Sequence, residues 1–426
     1  MTSEGLTAAA PQPAVPAPAA SASMGTSIQM AALGPQNVFL DLNPEMTFWR
    51  YTYKRHTPFA RITAIELFRT GFGFGMTPAR LDVPRSGDLL GDLTLEVRLP
   101  ALLTSESPDP AATWTPAIGY FLLRRVRFLL NDTVVHDQER LWYDISDKLF
   151  GTSAKAAGLG AMIGRDALSV YENHTLFVPL KLLCCRDAAS RSAQNWLPLM
   201  AVPTASITLE IETETFDKCV SAKALVLGAA APASLDAAVL CDCVLLDTDE
   251  QRALMEKPTA LLFDQVRDCE GVTYRVSDTL QFTSLVSVDL REINHPVRFL
   301  AAVAYDETYG TPFSYKRDVI HRAFVEINGV ERFAERPAAY FELVQRYDHT
   351  QKCAQDGVMM YSFSLDASQY QPSGSYNFAT AKSASFRVQM NPAVAADSQR
   401  ITVKVFARYV NILNVFRGEA SIEFVD

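Results

Sequence analysis

The sequence predicts an all-β chain built from two β-sandwiches in tandem, with short helices confined to loops. Three observations predict it. Short segments with period-two alternation recur along the chain, as in Leu93-Thr94-Leu95-Glu96-Val97-Arg98-Leu99. Gly, Pro, Asn and Asp separate these segments, and those residues stop strands and make turns. A weak internal repeat sets the second half of the chain beside the first.

Alternation places every second side chain on one sheet face, the pattern of a half-buried antiparallel strand. The segment at 93–99 stops at Pro100, and the same pattern runs through 205–211, through 386–390 up to Asn391-Pro392, and through 401–406. Helical windows are few, at 140–150 and 249–255, and the glycine-rich stretch 151–164 reads as a cap or loop after the first. Many short strands with regular turn signals favour sandwiches or barrels over a doubly wound α/β sheet.

The repeat sets Phe128-Leu129-Leu130-Asn131-Asp132 against Val325-Glu326-Ile327-Asn328-Gly329. Each is an apolar strand end running into a tight hairpin turn. A tyrosine follows in both, Tyr143 and Tyr340, and later 205–209 matches 384–388. This organisation gives four parts: an Ala/Pro-rich arm at 1–26, a first sandwich at 27–221, an Ala-rich linker or loop at 222–238, and a second sandwich at 239–426. Prolines at 11, 13, 16 and 18 and the lack of large apolar groups make the arm disordered or polyproline-like.

Across 426 residues, 48% hydrophobic content supplies a sizeable core, and a net charge of −9 argues against a general nucleic-acid binder. No run of about 18 apolar residues is present, as a transmembrane helix requires, and the first residues lack the basic and apolar regions of a secretory signal. Seven cysteines, odd in number and irregularly spaced, read as reduced, buried thiols in a cytosolic setting.

No arrangement with catalytic spacing emerges. The six histidines show no HExxH pairing. Cys184-Cys185 and Cys241-Asp242-Cys243 lack the CxxC spacing of a zinc site and read as small buried hydrophobes. Asp247-Thr248-Asp249-Glu250 lacks the EF-hand pattern and reads as a helix start, capped by Asp247 or Thr248. Gly71-Phe72-Gly73-Phe74-Gly75 is not a phosphate-binding GxGxxG and reads as a hairpin or bulged strand. Arg124-Arg125-Val126-Arg127 reads as a solvated sheet face, or as a row that meets a phosphate or carboxylate on a neighbouring subunit. The chain is therefore expected to be no enzyme, with no catalytic residue, cofactor or metal.

The segment 36–60 carries the most specific signal. Asn43-Pro44-Glu45-Met46-Thr47-Phe48-Trp49 is followed by Tyr53-Lys54-Arg55-His56-Thr57-Pro58-Phe59-Ala60. It closely resembles the N-terminal signature of the major capsid proteins of nucleocytoplasmic large DNA viruses, the chlorovirus, iridovirus, mimivirus and African swine fever virus group. Trp49 stands for the usual Phe and Pro58 for the usual Asn. Further blocks follow in the family's order: 84–89 with Leu99-Pro100, 177–180 with 197–199, 246–252, 294–297, and 361–365 with 371–378. The run Ala379-Thr380-Ala381-Lys382 departs from the family's Ser-Arg-Ile/Leu-Asp, so the chain is a divergent member. The similarity spans about 36–424.

The resemblance implies a tandem double jelly roll, two eight-stranded sandwiches side by side. It implies a structural role: three copies closing into a pseudo-hexagonal capsomer that tiles an icosahedral shell, as the major or a paralogous minor capsid protein. The implied location is the virion, assembled in the host cytoplasm. The implied partners are further copies, neighbouring capsomers, minor capsid and penton proteins and, through residues 1–26, the inner-membrane side, with no nucleic acid. Within the signature, Asn43, Pro44, Phe48, Trp49, Tyr53, Arg55 and Phe59 form a candidate interface at the capsomer base. Aromatics and Arg at this density suit a buried interface, but the same rings would also fill the first core, and the sequence leaves both uses open. A carbohydrate-binding, lectin-like jelly roll is the alternative, with 361–377 supplying aromatics near Asp and Asn.

Overall fold

The alternating segments become strands, and the strands pair into four antiparallel sheets. The computed structural model describes residues 28, 34–36, 39, 42–104, 109–185, 195–275, 285–306, 313–391, 400–416 and 418–424. It divides the chain into two units, Met1–His56 and Thr57–Asp426. In the first, 42–56 is turns and irregular backbone, and the arm expected at 1–26 lies outside the described residues.

The second unit contains both sandwiches. The first has strands β1 (Phe59–Leu67), β2 (Ala79–Asp82), β3 (Leu89–Leu99), β4 (Leu123–Leu130), β5 (Thr133–Glu139), β6 (His174–Pro179), β7 (Ile207–Thr213) and β8 (Asp236–Leu246). They form sheets ordered β1-β8-β3-β6 and β2-β7-β4-β5. The second has β9 (Thr259–Arg275), β10 (Leu285–Asp289), β11 (Pro296–Asp306), β12 (Ile320–Ile327), β13 (Val330–Glu331), β14 (Val358–Ser362), β15 (Ala384–Met390) and β16 (Arg400–Phe416). Their order, β9-β16-β11-β14 and β10-β15-β12-β13, repeats the first with every label raised by the same amount. The first strand lies beside the last in each, so both are jelly rolls. The repeat is also local. Asn131 and Asp132 turn between β4 and β5 with φ of 50° and 60°, and Asn328 and Gly329 turn between β12 and β13 with 54° and 75°. Both central residues are left-handed, as a tight hairpin of this twist requires.

Two segments differ from expectation. Strand β8 pairs with β1 from Phe59↔Leu246 to Leu67↔Ala238, and with β3 on its other side. Residues 239–246 therefore complete the first roll and do not open the second. The expected linker at 222–238 instead holds a short helix, Ala222–Val226, capped by the Ser221 side chain, and then the start of β8. The helix that passes between the rolls is Thr248–Glu256. The stretch 151–164 is not a loop but a helix, Ser153–Ile163, ended by left-handed Gly164. An added Cβ at Gly158 would meet nothing, so that glycine sits on an open face and costs only propensity.

One core lies around Leu95, Trp114 and Phe128 of the first roll and takes in Phe263, Leu413 and Val415 of the second; another lies around Val288, Phe386 and Val403 of the second. A third apolar cluster joins them. It is made by helix α1 (Arg140–Phe150), which follows β5 and lays Leu141, Trp142, Ile145, Leu149 and Phe150 on the outer face of sheet β9-β16-β11-β14. Trp142 stacks on Phe299, with ring centres 6.3 Å apart, and lies 6.0 Å from Phe406. Phe150 meets Phe299 edge-on at 5.5 Å.

Polar groups lock the same seam. The last carbonyls of a helix have no partner within it and favour nearby cations. Arg346 of the second roll is fully buried and donates from Nη2 to Lys148 O (2.6 Å), while Nη1 reaches Asp356 Oδ1 (2.6 Å). Lys352 Nζ donates to Asp147 O at 3.0 Å. Farther along, Lys404 is paired with Glu139 and lies 3.2 Å from Asp268.

Trp142→Ala is expected to destabilise the chain by about 3–5 kcal/mol, the cost of emptying a large aromatic site. Denaturant unfolding measures it, and a change within error would mean that the seam is not a packed core.

Candidate functional site

Of the candidate interface residues, Asn43, Pro44, Phe48, Trp49, Tyr53 and Arg55 sit on irregular backbone ahead of β1 in the chain, and Phe59 is the first residue of β1. Asn43 has φ 55°, a left-handed conformation that asparagine tolerates, and Pro44 follows it. Thr47 Oγ1 accepts from Trp49 N at 3.4 Å across a turn that presents Phe48 and Trp49 side by side. The rings are open: Phe48 is 87% exposed, Trp49 94% and Tyr53 77%. Tyr51, Arg55 and Phe59 are exposed as well. Isolated exposed apolar residues need no explanation, whereas a contiguous run of large aromatics does. Arg50, Lys54 and Arg55 stand among these rings, with Glu45 the one acid in 43–56. The segment thus combines aromatic rings with cations and holds no set of metal ligands.

The other singled-out motifs resolve into structure. Arg125 is held by Asp137 (2.5 Å), and Arg127 lies 3.0 Å from Glu212 on the neighbouring strand. Arg125 and Arg127 are therefore paired within the chain, while Arg124 on the opposite face is exposed. Asp247 occupies the N-cap position of Thr248–Glu256, but neither expected capping hydrogen bond forms there; Asp249 and Glu250 supply first-turn charge alone. In 71–75, Gly71 and Gly75 turn the chain with φ of 73° and 68°. Between them Phe72 packs on Phe68 at 4.9 Å and Phe74 on Phe216 at 5.2 Å, so the segment is a loop that plugs the first core. Among the described residues no His, Cys, Asp and Glu cluster suits a metal.

The lectin alternative needs open rings. Instead Tyr361, Phe363, Tyr376 and Phe378 pack on one another at 5.0–5.7 Å, which leaves no platform for a sugar. A polar cavity does lie in the seam between the rolls, lined in part by His136, Gln138, Trp142, Lys181, Asp264 and Arg408. At about 80 Å³ it is far below the roughly 300–1,000 Å³ of a site for a drug-sized ligand. His136 is fully enclosed there, and burial pushes its pKa from 6.5 to about 3, with Arg408 adding to the effect.

Six cysteines are buried, but Cys353 is exposed, correcting the expectation that all seven are inside. It follows the helical segment of the second roll on an irregular stretch, where no alternation signals burial. Burial pushes the Cys219, Cys241 and Cys269 thiols up to about 12, so they stay protonated and inert near neutral pH.

The comparisons with known proteins agree with this geometry. A family model described as the N-terminus of major capsid proteins matches residues 47–247, and one described as the large eukaryotic DNA virus major capsid protein matches 250–421. The chain is 28% identical to the major capsid protein of Pyramimonas orientalis virus, over 94% of this chain and 99% of that one. It is 23% identical to that of Paramecium bursaria Chlorella virus 1, over 93% and 99%. Among solved structures it is similar to the chain in a quasi-atomic model of the PBCV-1 capsid (TM-score 0.73, 20% identity, 89% of this chain and 100% of that one). It is also similar to the Faustovirus major capsid protein (TM-score 0.68, 10% identity, 93% and 97%).

Two outcomes follow. Reducing agent should leave the melting temperature unchanged, and a thiol probe should label at most one cysteine in the native protein and seven in denaturant; a large reductant-dependent drop would mean a structural disulfide. Stability should fall as pH drops from about 6.5 to 4.5, because there the unfolded chain takes a proton at His136 and the folded chain does not. His136→Gln should flatten that slope in denaturant titrations at several pH values, and an unchanged slope would exclude this histidine as its source.

Proposed function

Because the chain belongs to the major capsid proteins of large eukaryotic DNA viruses, we propose that three copies close into a pseudo-hexagonal capsomer that tiles an icosahedral shell. The protein is a structural capsid protein with the double jelly-roll fold. The observation that carries this is the order of the two family matches, which follow one another along the chain and fall on the two rolls. In this reading it is no enzyme. It is assembled in the host cytoplasm, with minor capsid and penton proteins as partners in the shell.

The signature segment is the surface we assign to assembly. Phe48, Trp49 and Tyr53 are large, exposed and flanked by arginines, the composition of interface anchors. Their removal costs the single chain little, because in it they are already in water. The arm at 1–26 contributes no core and is read as a segment that orders against an inner-side partner or the enclosed membrane, bearing the ordering cost on contact.

Light scattering on the purified protein should give a trimer that resists dilution, since obligate interfaces commonly bury more than about 2,000 Å²; a stable monomer at micromolar concentration overturns the reading. The Trp49→Ala, Tyr53→Ala double variant should melt like the parent yet fail to build particles. Deleting residues 2–26 should leave the trimer intact and reduce particle yield. Normal particles from either variant would remove that segment from the assembly surface.

A further inference from the structure

Strand β5 carries two polar side chains where a strand facing a core carries apolar ones. His136 and Gln138 are two residues apart, so both point to the same side of the strand. By register they lie beside Phe128 and Val126, which are fully enclosed. Both are buried themselves, at 4% and 3% exposure. The second roll closes over them. The His136 ring lies 5.5 Å from that of Phe263, and Gln265 Nε2 donates to Val135 O.

The hydrogen bonds these two side chains make define what is left over. The Gln138 amide spends its donor hydrogens inside the protein: Nε2 donates to Lys181 O at 2.6 Å and lies 3.3 Å from His136 Nδ1. Turned over, the amide would set Oε1 against the Lys181 carbonyl, acceptor against acceptor, so its orientation is fixed. His136 Nδ1 therefore accepts, and the one proton of the neutral ring sits on Nε2. Burial keeps the ring neutral, with its pKa at about 3. Gln138 Oε1 and His136 Nε2 have no hydrogen-bond partner among the described residues. One is an acceptor and the other a donor, and both residues line the polar cavity between the rolls. A buried polar group without a partner is costly, and folded proteins leave few of them.

We infer that this cavity is a hydration site built into the seam, where water molecules accept from His136 Nε2, donate to Gln138 Oε1 and tie β5 to the second roll. The two atoms set the chemistry of the ligand. A neutral donor beside a neutral acceptor suits a neutral molecule that both accepts and donates. An anion is repelled by Oε1, and a cation by the Nε2–H group and by Arg408, which lines the same space. Size selects water: one molecule needs on the order of 10–15 Å³ of such space, so about 80 Å³ holds roughly five. Asp264 and Tyr370 add polar surface from the second roll, as suits a buried water that makes about three hydrogen bonds. The site belongs to the single chain and does not depend on the trimer proposed above.

A high-resolution experimental structure of the full chain tests it. Discrete density should lie about 2.7–3.2 Å from His136 Nε2 and from Gln138 Oε1, and should stay unchanged when bromide replaces chloride in the buffer. No density beside these atoms overturns the site, and an anomalous bromide peak overturns it in favour of an anion site. In solution, oxygen-17 relaxation dispersion counts the water molecules held for longer than the protein takes to tumble. His136→Phe with Gln138→Leu removes both polar atoms at similar volume and should lower that count by at least one. If the double variant does not fold, Gln138→Met removes the acceptor alone and is read in the same way. An unchanged count overturns the assignment of these two residues.

Discussion

The architecture turns on the burial of α1 between two sandwiches. A β-sandwich needs only its own two sheets, and each roll here has a core, the first extended by Phe263, Leu413 and Val415 of the second. Two such bodies would be joined by a tether alone if nothing filled the space between them. Trp142 and Phe150 fill it against Phe299 and Phe406, and Arg346 closes the end. A guanidinium with no exposed surface is tolerable only when matched, and here a carboxylate of its own roll and a carbonyl of the other match it. Neutralising Asp356 or unwinding the end of α1 would leave that charge stranded. The positions of the two rolls are therefore coupled through this cation, with Lys352 and Lys404 bridging them beside it.

The same side-chain chemistry is put to opposite uses in different places. Trp142 and Trp49 are both large, flat and apolar, yet one is enclosed and the other lies in water. The difference is position. Trp142 belongs to an amphipathic helix that has a sheet to cover, whereas Trp49 sits on a turn of irregular backbone. An enclosed ring stabilises the chain that carries it. An open ring lowers the free energy only of something larger, which fits a protein whose function is association.

This explains what could be read in advance. Alternation marked β3, β7, β15 and β16; in β3 and β15 one face is core and the other more open, while in β16 the second face is taken by α1 through Phe406. The Asn-Asp and Asn-Gly pairs marked two hairpins, because few residues accept a left-handed backbone twice in succession. The window at 140–150 was legible as a helix, but its seat on the other roll was not, since a helical stripe does not say which sheet it covers. Strand β8 was misassigned for a similar reason: 236–246 begins inside the Ala-rich stretch, and only pairing with distant β1 places it. The Phe48–Trp49 pair was ambiguous because core and interface select the same residues.

The pairing of β1 with β8 has a consequence for how the chain is made. β1 leaves the ribosome roughly 180 residues before the strand that flanks it. At about 5–20 residues per second, that is on the order of 10 to 40 s during which the first roll cannot close. β9 waits a shorter stretch, roughly 140 residues, for β16. Contacts this distant in sequence make folding slow, and unclosed sheets offer their edges to other chains. The chain thus passes through a long interval in which its strands can join the wrong neighbour, and its yield depends on whatever shields those edges until residues 236–246 arrive.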